Sequence, residues 1–315
     1  MMTTGSRVHP LSQAGTNCLD ELRVATASSL PLNGLSPDTY SRAHAAFEAL
    51  SNQRNLIADW LVDRLSPSRT TPLSVLTVGC GDGALDAVIA QRLLARGSDG
   101  GDIRYVGVEP LEVSAGLFHE RMGRIDDSRL SFDTVVAPFA NSRLDETFDA
   151  VTFVHSMYYV SDVAGAAHAA SALLRPDGEA IIMSAPRGAL NLLADLLAPA
   201  IDGHRQWFSD DVHDALTHSG LDETILAPIE AVVDLTGASD EVLDFTVQAE
   251  LTPDLRDLVR RYLADVSLVT GRCLVPHPVD VYVVRPASEH SPAATGPQQF
   301  APRDVEPDLV LPSTV

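Results

Sequence analysis

Val75-Leu76-Thr77-Val78-Gly79-Cys80-Gly81-Asp82-Gly83-Ala84-Leu85-Asp86 decides the fold. An apolar run at 73–78 reads as a buried strand, and 83–96 reads as a helix; a Gly-x-Gly-x-Gly turn joins them. Glycine permits the sharp turn and lets a ligand approach a backbone that carries no Cβ. The helix that follows offers unpaired N–H groups and the positive end of its dipole. Dinucleotide enzymes present a pyrophosphate to that end with the spacing G-x-G-x-x-G. The tighter spacing here suits a ligand without phosphate, whose amino-acid end lies over the turn.

Outward from this turn, apolar runs alternate with helical ones. Strands are expected at 103–110, 129–137, 148–155 and 179–185, with helices around 112–123 and 163–174. Strands that alternate with helices predict βαβ units, so 71–186 reads as an α/β, doubly wound, mostly parallel Rossmann-like core. Residues 1–35 read as a flexible arm, and 36–70 as a helical cover that opens on the Ser36-Pro37 start signal and hinges near Ser51-Asn52. Residues 187–286 carry further helices, a strand candidate at 224–235 and a closing strand at 279–286; they read as a substrate lid region. The Pro/Ser/Ala-rich 287–315 reads as a disordered tail.

Two more features surround the glycine turn. Glu109, in Val108-Glu109-Pro110, stands where the next strand ends, and a carboxylate there can accept both ribose hydroxyls of an adenosine. The strand 148–155 ends in the polar aromatic cluster His155-Ser156-Met157-Tyr158-Tyr159-Val160. Ligands of open α/β sheets bind beyond the carboxyl ends of the strands, so His155, Tyr158 and Tyr159 are expected near the reacting group. Trp60, Trp207 and Phe208 are candidate lid aromatics, with core packing as the competing reading.

Composition narrows the partners. The net charge is −21, and all 22 basic residues are arginine, with no lysine to form a Schiff base. Such an acidic chain is a poor match for nucleic acid. Three scattered cysteines do not make a disulfide framework or a metal site. No apolar stretch approaches membrane-spanning length and no leader pattern is visible, so the expected location is the cytoplasm. Oligomeric state is not legible.

Together the three elements resemble the class I S-adenosylmethionine-dependent methyltransferases and, within them, histamine N-methyltransferase and its relatives. The likeness spans roughly 40–285 and rests on Tyr40, Phe47, the glycine turn, Val108-Glu109-Pro110, Met157-Tyr158-Tyr159-Val160, Ser209-Asp210-Asp211, Thr252-Pro253-Asp254-Leu255-Arg256 and the closing strand. It implies S-adenosylmethionine as cofactor. Gly79, Cys80, Gly81 and Gly83 would hold its methionine end and Glu109 its ribose; Pro110, Ser114, Pro138 and Val154 would border the rest. It implies a small-molecule acceptor near Tyr40, Gln53, His155, Tyr158, Tyr159, Trp207 and His277.

The chain departs from that family in several places. Gln53 stands where the family has a substrate-binding glutamate, His155 replaces a glutamine, His277 replaces an asparagine, and Thr77 replaces a frequent acid. Loss of the carboxylate argues against histamine as acceptor. If the acceptor must lose a proton, His155 is the expected base, with Tyr158 or His277 as alternates. Methyl transfer to a nitrogen, imidazole or indole nucleophile in specialised metabolism is the leading expectation. Its rivals are a cofactor-binding accessory protein without catalysis and a nicotinamide-dependent oxidoreductase.

Overall fold

The computed structural model describes residues 13–27, 32–66, 72–96, 101–199 and 206–286. Parallel strands β1 (Leu73–Val78), β2 (Ile103–Glu109), β3 (Leu130–Val136), β4 (Phe148–Val154) and β5 (Leu174–Ser184) form the core of the main sheet. The antiparallel strand β9 (Asp280–Arg285) and, beyond it, β6 (Asp222–Ile225), which runs antiparallel to β9 and so parallel to β1–β5, extend it into seven strands in the order β3-β2-β1-β4-β5-β9-β6. The order reverses between β1 and β4, which places a crevice beyond their carboxyl ends. β1 is buried at every position because helices cover both faces of the sheet.

On one face, α3 (Gln53–Leu65) and α4 (Ala84–Arg96) bury Ile57, Leu61, Ile89 and Leu93 against β1 and β5. On the other, α6 (Val163–Ala172) and α8 (Ser209–Ser219) bury Ala167, Ala170, Val212 and Leu216 against β4 and β9. The helix α5 (Glu112–Gly123) packs on β2 and β3.

A second core gathers α1 (Gln13–Ala27), α2 (Pro37–Ala49), α7 (Asn191–Leu197), α9 (Asp240–Thr246) and α10 (Pro253–Asp265) around the small antiparallel pair β7 (Val232–Asp234) and β8 (Leu274–Pro276). The cover helix α2 opens as expected, the Ser36 hydroxyl accepting from Thr39 N–H. The break between α2 and α3 is pinned: Asn52 donates its N–H to the Val232 carbonyl at 3.2 Å, and its side-chain oxygen accepts from Val232 N–H at 2.9 Å.

Three expectations need correction. The N-terminal arm contains α1, whose Leu19 and Leu22 are buried in the second core against α10. The strand expected at 179–185 begins at Leu174. The strand candidate 224–235 divides into β6 and β7, because Pro228 lies between them and cannot donate to a ladder. The tail expected at 287–315 lies outside the described residues.

Candidate functional site

The glycine turn joins β1 to α4 beside the switch point between β1 and β4. Gly81 has φ +54°, and a Cβ built on it meets no atom within 4 Å. Gly83 has φ +72°, but a Cβ there would come within 2.7 Å of the Phe118 ring. Gly79 is closed in the same way by Ser156, at 2.5 Å. Two of the glycines are therefore required by packing, whereas Gly81 opens onto space that a ligand can fill. The Cys80 thiol turns inward: a Cβ on Gly107 would come within 2.8 Å of its sulfur, and burial raises its pKa. Cys80 thus serves the turn through its backbone, whose N–H donates to the Val108 carbonyl.

Glu109 closes the crevice from β2. Its side chain is buried, and its two oxygens accept from Gly81 N–H at 3.1 Å and Leu111 N–H at 3.0 Å. Each carboxylate oxygen has a second lone pair, which leaves capacity for two hydroxyls. This carboxylate touches the one glycine whose Cβ position is open. Pro110 is exposed, Ser114 lies half-buried in the first turn of α5, Pro138 is exposed just past β3, and Val154 ends β4 half-buried.

Two supports of the turn escaped sequence reading. Asp82 accepts from Ala84 N–H at 3.0 Å and is held by Arg121 at 2.8 Å. Asp86, buried within α4, accepts from the Tyr105 hydroxyl at 3.0 Å and pairs with Thr77. Burial pushes the Asp86 carboxyl up to about 6. The acid absent at Thr77 thus comes from the helix that follows the turn.

At the end of β4 the chain passes through His155 in the left-handed region, φ +54°, a costly conformation for a residue other than glycine. That turn sets Ser156 under Gly79 and starts the short 3-10 turn Met157–Tyr159. His155 Nδ1 meets the Tyr158 hydroxyl at 2.7 Å and its Nε2 meets Gln53 Oε1 at 2.8 Å. Gln53 Nε2 donates to the His277 carbonyl at 2.6 Å, and Ala185 N–H donates to the Tyr158 hydroxyl at 2.8 Å. A carbonyl can only accept, so the Gln53 amide orientation is fixed and His155 Nε2 must carry a proton. Its Nδ1 then accepts from the Tyr158 O–H. Burial, aided by the nearby His277, pushes His155 down to about 3, and burial pushes His277 down to about 4. His277 Nδ1 also meets Ser51 Oγ at 2.9 Å.

This network corrects the expected chemistry. The structure does bring Gln53, His155, Tyr158 and His277 together. However, both His155 nitrogens are committed and its ring is held neutral, so it is a poor base. The Tyr158 hydroxyl is committed to Ala185 and His155, and burial raises its pKa. These side chains tie α3, β4 and the β8–β9 connection into one frame.

The open aromatic surface lies beside that frame. The Tyr40 hydroxyl, from α2, meets the Tyr159 hydroxyl at 3.3 Å, and Tyr159 is 54% exposed. Phe245 of α9 packs edge-on to Tyr40 at 5.4 Å and against Phe47 at 5.1 Å. Trp207 packs instead against the β4–α6–α8 core, its indole N–H donating to the Val160 carbonyl at 2.8 Å. Phe208 is fully buried beneath Arg187, and Trp60 packs on the α3–α4 core. Core packing therefore explains all three lid candidates. Among the described residues no cluster of His, Cys, Asp or Glu could hold a metal ion, and no helix is long and apolar enough to cross a membrane.

A family model described as a methyltransferase domain matches residues 49–224, more than half of the chain. The chain belongs to the methyltransferase domain family. The sheet order, with its one antiparallel insertion at β9, is the class I S-adenosylmethionine-dependent methyltransferase fold. The YcgJ protein of Bacillus subtilis is 12% identical over 73% of this chain and 98% of its own, with a TM-score of 0.51. A putative methyltransferase of Bacillus halodurans is 13% identical over 71% and 96%, with a TM-score of 0.48. The N-methyltransferase NodS of Bradyrhizobium japonicum, solved with S-adenosyl-L-homocysteine, is 16% identical over 75% and 89%, at 0.43. No curated protein matches the sequence.

Proposed function

We propose that this methyltransferase uses S-adenosylmethionine to methylate a small-molecule acceptor. The observation that carries the reading is the pairing of Gly81, open where a Cβ would sit, with the buried Glu109 carboxylate that touches its N–H. Gly79, Cys80, Gly81 and Gly83 offer backbone to the methionine end, and Glu109 offers its remaining lone pairs to the ribose hydroxyls. Ser114 and Pro138 border the adenine side. The bound sulfonium supplies an already activated methyl group, so the protein's task is positioning and exclusion of water.

The acceptor side is Tyr159 with Tyr40 and Phe245, above the frame of Gln53, His155, Tyr158 and His277. Aromatic walls and neutral imidazoles favour a flat acceptor with a nitrogen nucleophile of the imidazole or indole type. The likeness of Tyr40 and Met157-Tyr158-Tyr159-Val160 to histamine N-methyltransferase supports a nitrogen acceptor, while the amide at Gln53 removes the counter-charge for an amine. We place the enzyme in specialised metabolism and in the cytoplasm on sequence character alone.

A second reading, a cofactor-binding accessory protein without catalysis, is favoured by the commitment of His155. Turnover of tritiated S-adenosylmethionine against a panel of imidazole, indole and amine metabolites separates the two. Labelled product that is lost in Tyr159→Ala supports the enzyme; cofactor binding without product from any acceptor supports the accessory protein.

A further inference from the structure

For an acceptor that must lose a proton before or as it attacks, the His155 frame offers no free base. Three imidazoles lie near the carboxyl end of β4. His155 has both nitrogens committed, and His277 faces Ser51 and the edge of Phe47, at 5.2 Å between ring centres. The third, His44, is on the cover helix α2, one turn beyond Tyr40, and its ring stacks on the Tyr40 ring at 5.8 Å and 24°. It also packs against Phe245 at 5.4 Å.

His44 has the partners of an oriented base. Its Nε2 lies 3.2 Å from Glu48 Oε1, one turn further along α2, and the imidazole is 39% exposed. The same Glu48 oxygen is paired with Arg54 at 2.6 Å, so the carboxylate is fixed and partly neutralised. When the neutral imidazole carries its proton on Nε2, the nitrogen beside Glu48, its Nδ1 is bare. Among the described residues no donor meets that nitrogen. Tyr40 links this pair to the transfer side through its contact with Tyr159.

We propose that His44, oriented by Glu48, is the catalytic base that receives the acceptor's proton. This rests on the methyltransferase reading above. The acceptor's X–H proton passes to His44 Nδ1, and the X lone pair forms the new bond to the methyl carbon. The carbon–sulfonium bond breaks, and its electron pair returns to sulfur. The imidazolium formed lies 3.2 Å from the partly exposed Glu48 carboxylate, whose charge stabilises it.

The test uses 4-nitrophenol as a chromogenic stand-in for an acceptor bearing an acidic proton, with the protein saturated by S-adenosylhomocysteine. A base beside the phenol should lower its midpoint of ionisation by about one unit, a tenfold rise in the bound phenolate-to-phenol ratio. His44→Gln should still bind S-adenosylhomocysteine and the probe but lose that shift. Nitrogen-15 NMR of the wild type, which requires no variant, should show His44 protonated at Nε2 and bare at Nδ1 near neutral pH. An unchanged shift in His44→Gln, an Nδ1–H tautomer, or failure of the probe to bind overturns the assignment. Failure of S-adenosylhomocysteine itself to bind, read separately by calorimetry, overturns the underlying cofactor reading and this inference with it.

Discussion

Three glycines with the same sequence appearance have different duties. Gly83→Ala would drive a Cβ into Phe118 at a positive φ, so it should lower stability by about 2 kcal/mol or more, read by urea unfolding. Gly81→Ala meets no protein atom, so it should cost only about 1 kcal/mol of backbone strain while abolishing S-adenosylhomocysteine binding. The His155 frame can be read through pH. Its folded pKa, about 3, lies below the ordinary histidine value, so it stabilises the fold fully above that ordinary value. That contribution fades as pH falls from about 6.5 toward 3, because the unfolded chain takes up the proton first. The stability difference between wild type and His155→Gln should therefore be largest near pH 7 and shrink steadily toward pH 5; a constant difference would show that the imidazole is not held neutral.

At the scale of elements, the parallel core was legible and the cap was not. The turn at Gly79–Gly83, the strand end at Glu109 and the polar end of β4 stand in sequence next to the apolar runs that position them, so local pattern sufficed. One partner of His155, Tyr158, is three residues away, but the other, Gln53, is 102 residues away, and period and composition carry no trace of that bond. His44 was overlooked because a lone histidine on a helix looks like any surface residue until Glu48, Arg54 and Tyr40 are seen around it. Trp207 and Phe208 were read as lid aromatics, yet Trp207 packs on the β4–α6–α8 core and Phe208 is fully buried beneath Arg187. The helix α1 was hidden by a polar composition. Its Leu22 is fully buried, so Leu22→Ala should cost about 2–5 kcal/mol, with the loss appearing as weaker protection of α10 in hydrogen exchange.

For the whole molecule, the main sheet with its covering helices and the second, largely helical core meet at α2, α3 and the end of β4. Polar contacts across that junction include Tyr40 to Tyr159, Gln53 to the His277 carbonyl and Ser51 to His277. The net charge of −21 adds self-repulsion across the fold. Moderate salt, raised from about 0.02 to about 0.3 M, should therefore raise the melting temperature by screening. A melting temperature that falls with salt would show that the many arginine–carboxylate pairs outweigh the repulsion.

The most direct measurement is calorimetric titration of S-adenosylhomocysteine into the wild type, Gly81→Ala and Glu109→Ala, with NADH as control. Binding to the wild type is expected, with no measurable binding to Gly81→Ala, a loss of about tenfold to hundredfold in Glu109→Ala, and no NADH binding. Equal affinity in all three proteins, or preference for NADH, would contradict the assignment of the cofactor to this crevice.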